Sequence, residues 1–368
     1  MELEIIDYPK DDCLKIVRLV CVDVFQNKTM KFLLLLSLNV CLLITLAQTY
    51  NFVKIFDGYY FIQYAPMYFA LQLATVTISG QLLFSDATSP TLSKLTLWKF
   101  KDENNKISKN INNNSKIITA FVIANTIMSV LGGFNLMISG QDDDEDIFFI
   151  YGLIKDFIFP SWKYNISILF GICCAFLCYV GVTSLFQFLY STFHVKFQID
   201  IMLHHVESIN DLGQNRDDTD LLNSEDYQNE IKNNLKTIID RHNQLQDLAA
   251  LFMKKLKLVI LLYTITGGLF IISLMFFLFT FEGGFVTTYM RIILMGVTSF
   301  STAASVAFAG QQIQDGSSRS FDTYCTLKWY NWNRENKKIY LMMLANSLVP
   351  VKIKFSENIA VNYQLGLS

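Results

Sequence analysis

Charge is what long reaches of this chain lack: six stretches contain no Asp, Glu, Lys or Arg at all. They are Phe32 to Val53, Gly58 to Ser85, Ile117 to Gln141, Tyr164 to Val195, Leu258 to Phe281 and Ile292 to Gln314. A water-soluble globule has no use for so many uninterrupted apolar runs, whereas a helix crossing a bilayer core needs roughly 20 apolar residues in succession. Backbone amides in lipid must be satisfied inside the segment, so the runs are predicted to be helices. Catalytic patterns are missing as well. The chain has no Walker-type loop, no His-Glu-x-x-His, no nucleophile elbow and no carboxylate inside a predicted span of the kind proton relays use. An enzyme is therefore not expected, nor is a cofactor, a metal or a nucleic-acid partner. The seven cysteines fall outside every predicted external loop, so no structural disulfide is expected. Cys173, Cys174 and Cys178 are read as small apolar packing groups.

What is present fits lipid as the main solvent: 52% hydrophobic residues and a mean hydropathy of +0.32. Lys and Arg sort to alternate connections. The segment before the first run has five, the second connection six, the fourth eight and the sixth five, while the first, third and fifth together have four. Positive residues near span ends stay cytoplasmic, so the N-terminus is predicted inside. The first run follows about thirty mixed-charge residues with no small-residue cleavage site, and is read as a retained span. The acidic cluster Asp142 to Asp146 then lies outside, either as a solvated loop or as a vestibule that attracts cations. The sequons at Asn27, Asn113 and Asn165 fall inside the cell or within a span, so glycosylation is not expected.

The boundaries that follow are 1–31 for a cytoplasmic N-terminal segment, 32–195 for helices one to four, 196–257 for cytoplasmic extensions, 258–314 for helices five and six, and 315–350 for a cytoplasmic anchor. Within the extensions, Ile231, Leu235, Ile238, His242, Leu245, Ala249 and Phe252 recur at alternating spacings of four and three, a heptad seam running into the fifth span. Phe197, Ile201, Val206 and Ile209 continue the fourth span as an amphipathic helix, and the Asn-, Asp- and Gly-rich stretch around 210–225 reads as a linker. The seam packs either within the chain or between subunits. Gly132-Gly133 and Gly267-Gly268 read as close helix packing or a local kink.

Tyr60, Tyr64, Met67 and Tyr68 share one face near the outer end of the second span. They form either an interfacial aromatic belt or one wall of a cavity for a small apolar ligand. Gly133, Leu136, Ile166, Phe170, Cys173, Tyr289 and Ile293 lie at comparable depth on other spans.

The sixth span reads Ala307-Phe308-Ala309-Gly310-Gln311-Gln312-Ile313-Gln314-Asp315, followed by Ser317, Ser318 and Arg319, then Lys328-Trp329-Tyr330, Lys337-Lys338, an apolar helix to Leu348, and Val349-Pro350-Val351. This resembles the C-terminal region of insect odorant receptors, in which a Gly-Gln-rich turn closing the sixth span precedes a Trp-Tyr pair, a basic-led helix and a proline before the last helix. Gustatory receptors share that architecture. The resemblance implies an all-α, seven-transmembrane bundle with a cytoplasmic N-terminus and a cytoplasmic helical anchor. It also implies an odorant-binding subunit of an odorant-gated, non-selective cation channel, placed in the plasma membrane of olfactory sensory neurons. The implied partners are a co-receptor in a heterotetramer, a small volatile hydrophobic ligand and the lipid bilayer. The implied pocket uses Tyr64, Met67 and Tyr68 with residues of the third, fourth and sixth spans, so a Tyr68→Ala change is expected to alter ligand response. The implied subunit interface uses Ile231, Leu235, Ile238, Leu245, Phe252, Trp329, Tyr330, Leu341 and Leu344. Residues 351–368 correspond to the start of the seventh, pore-lining helix, which is incomplete here because Lys352, Lys354 and Glu357 interrupt it and the chain stops at Ser368.

Two rivals fit less well. A G-protein-coupled receptor needs an external N-terminus, which the charge distribution opposes, and a secondary transporter is expected to show inverted repeats with polar broken helices.

Overall fold

A computed structural model describes residues 3–5, 10–93, 97–101, 105–135, 160–212, 218–280 and 290–348. The acidic cluster, Leu136, Tyr289 and the pore-helix segment 351–368 lie outside the described residues, as do the side chains of Ile166 and Phe252.

Each charge-free run is the body of one long helix. The helices are α3 (Lys28–Ile55), α4 (Gly58–Ser93), α5 (Lys106–Asn135), α6 (Pro160–Ile209), α8 (Glu225–Thr280) and α9 (Met290–Cys325). Shorter pieces are α1 (Lys15–Arg18), a π-helical turn (Leu19–Asp23), α2 (Val24–Gln26), α7 (Asp218–Asn223), a 3-10 turn (Trp329–Asn331) and α10 (Arg334–Ser347). Five of the six long helices contain segments long and apolar enough to cross a membrane. Their outward faces carry Leu43, Leu46, Phe279 and Phe300, all well exposed. Such faces are tolerable only where lipid covers them.

Local chemistry sets the ends. Asn27, in extended backbone, caps α3 by accepting the Thr29 N–H at 3.1 Å. Phe56 closes α3 in the left-handed region (φ 44°), its N–H donating to the Phe52 carbonyl at 3.0 Å. Asp57 then opens α4, its carboxylate accepting from Tyr59 and Tyr60 N–H at 3.3 and 3.2 Å. A two-residue turn thus reverses the chain.

α4 packs along α8, α6 lies between α5 and α9, and α3 flanks α4. α6 and α8 run well past their apolar runs. Their extensions form a base whose core includes Phe186, Tyr190, Phe197, Met202, Val206, Tyr324 and Trp332. The heptad residues Ile231, Leu235, Ile238 and Leu245 are buried in that same core, so the seam packs within the chain. The expected Gly-Gln-rich turn is absent: α9 continues through Gly310 to Asp315 as far as Cys325. Ile199 packs 3.6 Å from where a Gly316 Cβ would sit, so α6 meets α9 closely in this stretch and leaves it nowhere to turn.

The segment before α3 is more structured than its mixed composition implies. The π-helical turn leaves carbonyls for α6, which donates from the Tyr179 hydroxyl to Val20 O and from Gln187 Nε2 to Cys21 O, both at 2.6 Å. Two short strands, β1 (Leu3–Ile5) and β2 (Trp98–Phe100), pair antiparallel with Glu4 opposite Lys99.

Candidate ligand cavity

The long helices line a partly open cavity of about 550 Å³, to which all six contribute. At the end near the α3–α4 turn its wall is apolar: Met67, Ala70 and Leu73 from α4, Phe170 and Cys174 from α6, Phe270 from α8 and Met295 from α9 belong to one packed cluster. At the end facing the base the wall turns polar, with Ser129 on α5, Tyr263 on α8, and Thr298, Ser299 and Thr302 on successive turns of α9. Tyr263 and Val182 there pack against or within the main core. Asn125 fixes this end. Its buried amide donates to the Thr302 hydroxyl at 3.2 Å, and its oxygen shares the Ser301 O–H, at 3.0 Å, with the Thr298 carbonyl. A buried amide held on both sides has one orientation, which makes the polar patch rigid.

Of the pocket residues expected from sequence, Met67, Phe170 and Cys173 line this cavity. The others do different work. The Tyr68 hydroxyl bonds to that of Thr49 at 3.0 Å and its ring meets Phe52 edge-on at 5.3 Å. Tyr64 stacks edge-on with Tyr60 at 4.9 Å, and its carbonyl accepts from Gln48 Nε2 at 3.0 Å. Tyr68 through its side chain, and Tyr64 through its backbone carbonyl, thus tie α4 to α3. Gly133 is a crossing point: a Cβ there would lie 2.4 Å from the Ala175 Cα. Ile293 is half-exposed on α9. Sequence reasoning missed Gln48, Thr77, Ser129, Tyr263, Thr298, Ser299 and Thr302, all on the cavity wall. The available signal was the recurrence of Thr and Ser every three or four residues in the sixth span, since polar groups inside a span face the protein.

Among the expected interface residues, Trp329, Tyr330 and Leu341 are exposed, and Leu344 packs partly buried against the base core. Met342 on α10 and Leu348 just past its end are exposed as well.

The base also holds a buried ionic knot. Asp12, with no side-chain exposure, accepts from Tyr190 Oη at 2.8 Å, Arg18 Nη1 at 3.2 Å, His194 Nε2 at 3.1 Å and Leu14 N–H at 2.8 Å. Burial pushes its pKa up, but the hydrogen bond and charge of His194, the Tyr190 hydroxyl and the Leu14 N–H outweigh this and hold it below 3.8. Asp12, Cys13 and His194 bring three ligand-type atoms within 4.8 Å of one another. Arg18 and Tyr190 already occupy the carboxylate, however, so the knot is built as a salt bridge. Across the base, Arg241 lies over the Trp98 ring at 4.6 Å and bonds Gln198, which clamps the Trp98 backbone from both sides.

The model of the 7tm Odorant receptor family matches residues 92–364. No curated protein matches the chain in sequence. Among the solved structures that share its fold are two of the insect olfactory receptor OR5 from Machilis hrabei, one in complex with eugenol, with a TM-score of 0.71, and another of the same receptor, with a TM-score of 0.70. Each is 9% identical and the alignment covers 96% of this chain and 92% of the other. At that identity the likeness speaks for the fold alone.

Proposed function

This chain belongs to the 7tm odorant receptor family, and from that premise we propose that it is the odorant-binding subunit of an odorant-gated, non-selective cation channel that works with a co-receptor. It is a multi-pass membrane protein and an odorant receptor, not an enzyme. The cavity carries the proposal: its volume sits within the roughly 300–1,000 Å³ of small-molecule pockets, and its mostly apolar wall with a few fixed polar groups suits a volatile hydrophobic ligand.

In this reading Met67, Phe170 and Cys173 touch the ligand, while Tyr64, Tyr68 and Gly133 set the helix positions around it. The N-terminus is cytoplasmic, the base is the cytoplasmic anchor, and the membrane is that of an olfactory sensory neuron. Trp329, Tyr330 and Leu341 are the surface offered to the other subunits, since the heptad residues are already buried at home. Gating is a population shift: a ligand that fits better when the bundle is dilated draws the assembly toward the open state by its difference in affinity.

The test is whole-cell current in cells expressing the full-length gene with and without the co-receptor, under a panel of volatile esters, alcohols, aldehydes and terpenes. Inward cation current that requires the co-receptor supports a tuning subunit, and current from this chain alone makes it a self-sufficient channel. Silence in both, with the protein at the surface, rejects the odorant-gated reading.

A further inference from the structure

The hydroxyls at the base end of the cavity are not equivalent in what they offer a ligand. Thr298 donates its O–H to the Leu294 carbonyl at 3.0 Å, Thr302 donates to the Thr298 carbonyl at 2.6 Å, and Ser129 donates to the Cys178 carbonyl at 3.1 Å. Each has one proton, and each gives it to a helix carbonyl, which leaves only oxygen lone pairs toward the cavity. Thr302 also accepts from Asn125, so Thr298 and Ser129 hold the freer acceptors. Tyr263 and Ser299 differ. Their hydroxyls have no hydrogen-bond partner among the described residues, so they are able to donate. The base end therefore presents fixed acceptors beside free donors.

We propose that this end of the cavity selects ligands bearing a hydroxyl, alcohols or phenols, over the aldehyde and ether analogues of equal size. The selection rests on the cavity's being the odorant site. A ligand hydroxyl donates to Thr298 or Ser129 and accepts from Tyr263 or Ser299, satisfying both kinds of group. A carbonyl or an ether accepts only. The apolar body of the ligand then lies along Met67, Leu73, Phe170 and Phe270 toward the α3–α4 turn. Sites built around a ligand hydroxyl reject analogues that lack it more strongly than apolar walls reject a change of shape.

The experiment compares dose–response curves for linear alcohols, the aldehydes of the same length and the isomeric methyl ethers, on the full-length chain with its co-receptor. The alcohol is expected to be about tenfold more potent than its ether, the worth of one net hydrogen bond. Thr298→Val combined with Ser129→Ala removes both free acceptors with little change in volume, and is expected to bring alcohol and ether to within about twofold of each other. Tyr263→Phe removes a donor that every one of the three classes can use, and is expected to weaken alcohol, aldehyde and ether together. For the variant that lacks acceptors the ether response reports folding and surface delivery in the same cells, and for Tyr263→Phe surface labelling does. Equal potency of alcohol and ether on the unaltered chain, or an alcohol preference that survives loss of both acceptors, overturns the inference while leaving the odorant reading intact. Silence to all three classes while esters or terpenes evoke current overturns the inference alone, and silence to every class overturns the odorant reading and the inference with it.

Discussion

His242 sits in the heptad seam with both ring nitrogens engaged. Gln246 donates to Nε2 at 2.7 Å, which leaves the Nδ1 proton to donate to the Tyr324 hydroxyl at 3.2 Å. That is a neutral imidazole, and burial pushes its pKa below 6.5. The unfolded chain thus binds a proton more readily than the folded one. The stability this group contributes is complete above about pH 6.5 and is lost as pH falls through the lower folded value. Burial pushes His205 in the same direction. Thermal unfolding in detergent is therefore expected at lower temperature at pH 5.5 than at pH 7.5, and His242→Gln is expected to remove part of that difference. An unchanged Tm across that interval would contradict the assignment. Asp12 acts at another pH: its folded pKa is depressed, so its contribution survives the histidine transition and disappears only below about pH 4. Sequence spacing placed His242 in the seam, because the heptad repeat is local. Asp12 was invisible, since its partners Tyr190 and His194 lie far away in the chain.

Helix crossings separate two glycine pairs that look alike in sequence. At Gly133 an added methyl meets the Ala175 backbone, whereas at Gly268 nothing lies within 4 Å. Gly133→Ala must push α5 off α6 and is expected to destabilise by about 1–3 kcal/mol, seen as lower surface delivery and lower Tm. Gly268→Ala is expected to be neutral or to stabilise by up to about 1 kcal/mol, because a mid-helix glycine costs backbone entropy. If both variants behave alike, the α5–α6 crossing is misplaced. The base follows the same logic of burial. Leu235, with no exposure, is expected to cost about 2–5 kcal/mol on truncation to Ala, while the exposed Leu341 should cost this chain almost nothing and show its effect only in recovery of the assembled channel. Helix existence was legible from absent charge, a constraint that acts on every residue of a span. The course of α9 past Gly310 was not, because Gly and Gln forbid neither a helix nor a turn, and close packing against α6 decided it.

For the whole molecule, the bundle surrounds a chamber whose wall residues have the same chemistry as its lipid-facing ones. That is why the six helices were readable and the cavity was not: Tyr68 and Cys173 both suit a pocket by type and depth, yet one fastens α4 to α3 and the other lines the space. The polar stripe of the sixth span was the better pointer. Filling the chamber tests the central claim most directly. Ala70 and Ala74 both line it from α4, so Ala74→Phe in the full-length chain removes volume without adding charge or breaking a hydrogen bond. Dose–response curves for a homologous series of volatile ligands are expected to shift with size, the longest members losing potency by about tenfold or more and the shortest being retained. Unshifted curves for every length, with equal surface expression, would mean that ligands act elsewhere and would contradict the account.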